Sequence, residues 1–123
     1  MSLTRRIFSL ALFLGLGLAV GQHAAAHALV IEASPAIDSS VSGPRVEFLL
    51  RFNSRIDHDR SRLTLIGPDG VNRRLSVSRT STLDSLQANA SGLSPGPYKL
   101  RWQVLATDGH ITRGDIPFRI TPP

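Results

Sequence analysis

The hydrophobic pattern of this chain alternates with a period of two. Val46, Phe48, Leu50 and Phe52 interleave with Arg45, Glu47, Leu49 and Arg51, the signature of a half-buried strand. Leu63 and Leu65 predict a second short strand, closed by the hairpin-type turn Gly67-Pro68-Asp69-Gly70, with Leu75 and Val77 on the return. After Ser94-Pro95-Gly96, the residues Tyr98, Leu100, Trp102, Val104 and Ala106 share one face, while Lys99, Arg101 and Gln103 take the other. Ile116, Phe118 and Ile120 make a last strand after Gly114, and Ala28 to Ala33 a first one. Only Ser81 to Leu86 reads as a possible single helical turn. Six or seven short strands with turns every ten residues or so predict an all-β Greek-key antiparallel β-sandwich or barrel of about seven strands, immunoglobulin- or cupredoxin-like. Phe48, Phe52, Leu100, Trp102, Val104 and Phe118 are its expected core, with Lys99 and Arg101 facing solvent.

The N-terminal segment breaks this pattern. Arg5 and Arg6 precede an apolar run from Ile7 to Val20, too short for a spanning anchor of ~20 residues, and Gly21-Gln22-His23 leads from it to Ala24-Ala25-Ala26, which fits the small-x-small cleavage rule. Residues 1–26 therefore read as a cleaved export signal, and 27–123 as one domain beginning at His27. Thr4-Arg5-Arg6-Ile7-Phe8 also fits a twin-arginine signal, but the general secretory route is favoured. The location implied is periplasmic.

Composition narrows the chemistry. The 123 residues contain no cysteine, which excludes disulfides, thiolate metal sites and cysteine nucleophiles. Loss of Arg5 and Arg6 with the signal leaves 12 basic against nine acidic residues, net +3. With arginines scattered and seven aromatics in all, nucleic acid is not an expected partner. No nucleophile-elbow serine or glycine-rich phosphate loop is present, and the carboxylates form no acid–base pair, so an enzyme is not expected.

Two features carry possible chemistry. A mature N-terminal His27 could chelate one metal ion through its α-amine and imidazole. Asp108-Gly109-His110 places a carboxylate and an imidazole two residues apart, which in extended backbone aims both to one side. Three nitrogens and one oxygen suit tetragonal Cu(II). The plainer alternative is a frayed terminus and an ordinary Asp-Gly turn. His58, between Asp57 and Asp59, reads as a solvated loop histidine, with a secondary metal site as its alternative.

The mature start His27-Ala28, Ser34-Pro35, Phe52, Pro95-Gly96-Pro97-Tyr98-Lys99-Leu100-Arg101-Trp102, Thr107-Asp108-Gly109-His110 and Gly114 followed by Phe118 together resemble the CopC-like periplasmic copper-binding (copper resistance) proteins. The resemblance implies a Greek-key β-sandwich binding one Cu(II) per chain through His27, Asp108 and His110. It also implies a carrier or buffer role in copper homeostasis, a monomer, and an inner-membrane copper transporter of the CopD type as a partner. Two departures stand out. The only methionine is Met1, so no methionine-rich Cu(I) site is expected. Ser54 also replaces a glutamate common in the family two residues after the phenylalanine.

Two other functions remain open. Copper on an N-terminal histidine and a second histidine also resembles polysaccharide monooxygenases. The anionic Asp108 and the lack of an exposed aromatic row argue against that enzyme. A metal-free β-sandwich interaction module is the third reading. For the copper reading, the metal must displace protons from amine and imidazole, so binding weakens as pH falls.

Overall fold

The computed structural model describes residues 28–79 and 81–123. The expectations for residues 1–26 and for His27 lie outside this range. Eight strands follow in chain order: β1 (Val30–Ser34), β2 (Ser40–Ser42), β3 (Val46–Phe52), β4 (Ile56–Ile66), β5 (Asn72–Leu75), β6 (Ser85–Ala90), β7 (Gly96–Ala106) and β8 (Ile111–Thr121). They form a three-stranded sheet, β1-β3-β6, and a five-stranded sheet, β2-β8-β7-β4-β5. The chain leaves the second sheet at β5 for β6 and returns at β7. Thus β4 and β7 become neighbours although two strands separate them in sequence, as Greek-key connectivity requires. The all-β sandwich expected from the alternation is the observed fold.

The two inner faces interlock through aromatics. Phe48 of β3 meets Phe118 of β8 edge-on at 5.7 Å, and Phe52 of β3 meets Trp102 of β7 edge-on at 5.4 Å. Tyr98 stacks on Phe118 at 5.7 Å and donates its hydroxyl to the Ser94 carbonyl at 2.7 Å, pinning the entry to β7. Each of these aromatics is buried, and Lys99 and Arg101 are exposed, in line with the alternation.

Four details depart from the sequence reading. Ser81 to Leu86 makes no helix: Ser85 opens β6, whose inward Leu86, Ala88 and Ala90 are buried against β3. Serine, alanine and asparagine are weak strand formers, and here burial overrides propensity. The short β2 runs parallel to β8, so the sandwich is not wholly antiparallel. Strand β5 ends at Leu75, before Val77, and β8 starts at Ile111, before Gly114. His58 lies within β4, not in a loop, at a bulge where the β4–β7 register shifts between Asp57 and Arg62. Its Nε2 lies 2.8 Å from both the Thr82 and the Ser85 carbonyls. Two acceptors around one ring nitrogen require that nitrogen to carry the proton and donate. His58 therefore fastens the five-stranded sheet to the start of β6 in the other sheet.

Candidate metal centre

The β7–β8 hairpin closes through a three-residue loop, Thr107-Asp108-Gly109. Gly109 N–H donates to the Ala106 carbonyl at 2.9 Å, and Ala106 N–H donates to the His110 carbonyl at 2.9 Å. Gly109 sits at φ +89°, the left-handed conformation that ends such a loop and that glycine adopts without steric cost. Among the described residues a Cβ there would meet nothing within 4 Å, so the demand for glycine is conformational and not spatial.

This turn brings Asp108 and His110 together. Asp108 Oδ1 accepts the His110 backbone N–H at 3.0 Å, and Oδ2 lies 3.0 Å from His110 Nδ1. The juxtaposition expected from Asp-Gly-His is present, but its cause differs: a tight turn folds the side chains together, not extended backbone. The His110 side chain is about half exposed, at 54%. Two ligand atoms at about 2.0–2.1 Å from a metal and 90° apart are about 2.8–3.0 Å from each other. The 3.0 Å carboxylate–imidazole separation is that of an ordinary hydrogen bond and is also compatible with two adjacent positions of a tetragonal site.

A second turn in the same molecule separates scaffold from chemistry. At Gly67-Pro68-Asp69-Gly70-Val71, Gly70 N–H donates to the Gly67 carbonyl, Gly67 N–H to the Val71 carbonyl, and Asp69 Oδ1 accepts the Val71 N–H at 3.1 Å. Gly70 has φ +78°. The backbone design is the same, but Val71 stands where His110 stands. An Asp-Gly turn alone explains Asp108 Oδ1; it does not explain a histidine under Oδ2.

Backbone contacts lead from this turn to the start of the described chain. Thr107 N–H points to the Arg55 carbonyl at 3.4 Å. In the same β3–β4 loop, Asn53 N–H donates to the Leu29 carbonyl at 3.0 Å, and Asn53 Oδ1 accepts the Leu29 N–H at 2.8 Å. Ala28 is fully buried. The entry of the chain and the Asp108–His110 turn therefore share one end of the sandwich, with the 53–55 loop between them. The clamp by Asn53 was not anticipated. An asparagine just past a strand signals a turn, and nothing in the pattern says its amide reaches a residue 24 positions away.

His27, the third expected ligand, lies outside the described residues. Among the described residues no group of three or more histidine, cysteine or acidic side chains gathers as a metal cluster. His58 is held by two carbonyls on the inter-sheet contact and joins neither Asp108 nor His110. Among the described residues, the buried Ser54 and Thr112 hydroxyl oxygens find no hydrogen-bond partner.

A two-sheet Greek-key sandwich with a carboxylate–imidazole pair on one hairpin turn, at the end where the described chain begins, is a small all-β domain whose candidate ligands stand on a loop. Residues 30–121 match the CopC domain, and the chain belongs to the CopC family. It is 28% identical over 98 residues to Protein YobA of Escherichia coli strain K12, across 77% of this chain and 79% of that protein. The fold superposes on the crystal structure of CopC from Methylosinus trichosporium with TM-score 0.69 and 24% identity, covering 78% of this chain and 95% of that one. PcoC, a methionine-rich copper resistance protein from Escherichia coli, gives TM-score 0.62 and 22% identity, over 78% of this chain and all of that one.

Proposed function

We propose that this protein is an exported Cu(II)-binding protein that carries or buffers copper in the periplasm. The observation that supports this most directly is the 3.0 Å Asp108–His110 pair on a turn whose twin, at Asp69–Val71, has no histidine. Membership of the CopC family and a fold shared with PcoC, a copper resistance protein of Escherichia coli, point the same way. The ligand set is His27, through amine and imidazole, with Asp108 and His110. Its donors are hard or borderline, with no sulfur, so Cu(II) is the cargo and not Cu(I). PcoC is described as methionine-rich, whereas the single methionine here is Met1. One chain supplies every ligand, so a monomer suffices, and a CopD-type membrane transporter is the proposed recipient.

In this reading residues 1–26 leave on export, and the exposed amine of His27 completes the site. An amide nitrogen has no basic lone pair, so the precursor would lack one ligand. The burial of Ala28 and the Asn53 contacts to Leu29, at the same end of the sandwich as the Asp108–His110 turn, support this reading.

The test titrates Cu(II) into three forms: protein starting at His27, the same protein with one added residue before His27, and His110→Ala. The extended form and His110→Ala should each bind at least about tenfold more weakly, as expected when a ligand or its support is lost. Equal affinity in all three would place the metal elsewhere and leave Asp108-Gly109-His110 as a turn.

A further inference from the structure

The register arranges the outward side chains of β8, β7, β4 and β5 in rows. Arg119 lies opposite Pro97. Lys99 lies between Pro117 and Ile66, with Asn72 beyond. Arg101 lies between Asp115 and Thr64, with Arg74 beyond; Gln103 lies between Arg113 and Arg62. All six cations are exposed, while Leu63, Leu75, Leu100, Trp102 and Phe118 beside them in sequence are buried.

Asp115 is the one carboxylate within these rows, and it is held by Arg101 through contacts of 2.9 and 3.1 Å. The described residues carry 12 lysines and arginines against nine acids. Six of those cations and one acid stand on this face, so it bears +5 and the remainder of the domain −2. Acids border the face without entering the rows. Asp57 turns into the β4 bulge, accepting the Asp59 and Arg60 N–H groups and pairing with Arg60 at 3.6 Å. Asp38, in the β1–β2 turn, lines a concavity at one corner of the face together with Lys99, Arg101 and Arg119, so that corner is less positive than the rest.

Strand and pleat spacings make the array about 14 Å by 20 Å. Its centre holds Thr64, Arg101 and Gln103, with no aromatic or large aliphatic side chain. A stereospecific protein interface is centred on desolvated apolar or aromatic anchors, and none is present here. Five exposed guanidinium groups and one ammonium instead match a plane of phosphates, which each guanidinium fork can bond twice. We propose that the outer face of the five-stranded sheet docks on an anionic phospholipid bilayer. The Ala106–His110 turn lies past the last row, beyond the Leu105–Ile111 pair, so docking leaves His110 at the rim of the contact and open to solvent. This inference rests on charge placement and is independent of copper binding.

The experiment is co-sedimentation of the purified protein with vesicles containing phosphatidylglycerol and with vesicles of phosphatidylcholine alone. Binding should be selective for the anionic vesicles. It should collapse between about 0.1 M and 1 M salt, as the screening length falls from about 10 Å to about 3 Å. The triple variant R62Q/R74Q/R113Q should lose about a hundredfold in binding. R45Q/R60Q/R79Q changes the net charge equally from outside the rows and should bind nearly as the parent does. Matching thermal melts establish that both variants are folded. Equal binding to the two vesicle types, no binding at the lower salt, or an equal loss in both triple variants would each overturn the proposal.

Discussion

Gly114 shows how a single missing side chain organises the core. It pairs with Trp102 across β7 and β8, and a Cβ there would lie 2.5 Å from Trp102 Cζ2 and 2.8 Å from Nε1. The indole is already fixed edge-on against Phe52, so it cannot yield. Gly114→Ala should therefore cost about 1–3 kcal/mol of overpacking, measured by chemical denaturation, with a red shift of tryptophan emission. One row further out in the same pairing, the Arg101 guanidinium holds the Asp115 carboxyl below its ordinary range by hydrogen bonding and charge, with burial working against it. A lowered folded-state pKa contributes stability that is present above the unfolded value, near ~3.9, and is lost as pH falls through the lower folded value. The melting-temperature difference between the parent and Asp115→Asn should therefore be largest at neutral pH and shrink below about pH 4. A difference that grew on acidification would contradict this.

The two Asp-Gly hairpins allow stability and binding to be varied separately. Gly70 and Gly109 both sit at positive φ with no neighbour where a Cβ would go. Gly70→Ala and Gly109→Ala should each cost about 1–2 kcal/mol for an alanine in the left-handed region. Only Gly109→Ala should also weaken Cu(II), because only that turn aligns a carboxylate with an imidazole. Calorimetry on both variants reads stability and metal binding side by side, and equal weakening by both would refute the assignment of the site to the β7–β8 turn.

The sandwich as a whole is fastened in two ways: by the aromatic pairs between its faces, and by His58 near the bulge in β4. Removing the imidazole leaves the Thr82 and Ser85 carbonyls without their donor. His58→Ala should cost about 1–3 kcal/mol while Cu(II) affinity stays unchanged, since His58 belongs to the inter-sheet contact and not to the hairpin turn. A copper affinity that fell with this substitution would return His58 to the list of ligands. The charge polarity between the five-stranded face and the rest is also a property of the whole domain, invisible in the net charge of +3 that the described residues carry.

Alternation was enough to read the β3 and β7 strands and the aromatic core, because burial of one sheet face writes a period of two directly into the side chains. Asp108 and His110 were legible as a pair for a similar reason, since a two-residue spacing around glycine is local. Strand β6 was not legible: Ser85, Gln87 and Asn89 have weak strand preference, and pairing with β3 is what makes them extended. His58 looked like a loop residue because flanking acids say nothing about two carbonyls 24 and 27 residues away. The Asn53 clamp on Leu29 and the rows of arginine depend on which strands become neighbours. Spacing along a chain encodes local conformation and the face a side chain takes. Register and crossover between strands distant in sequence bring such faces together, and those are settled by packing the two sheets on a common core.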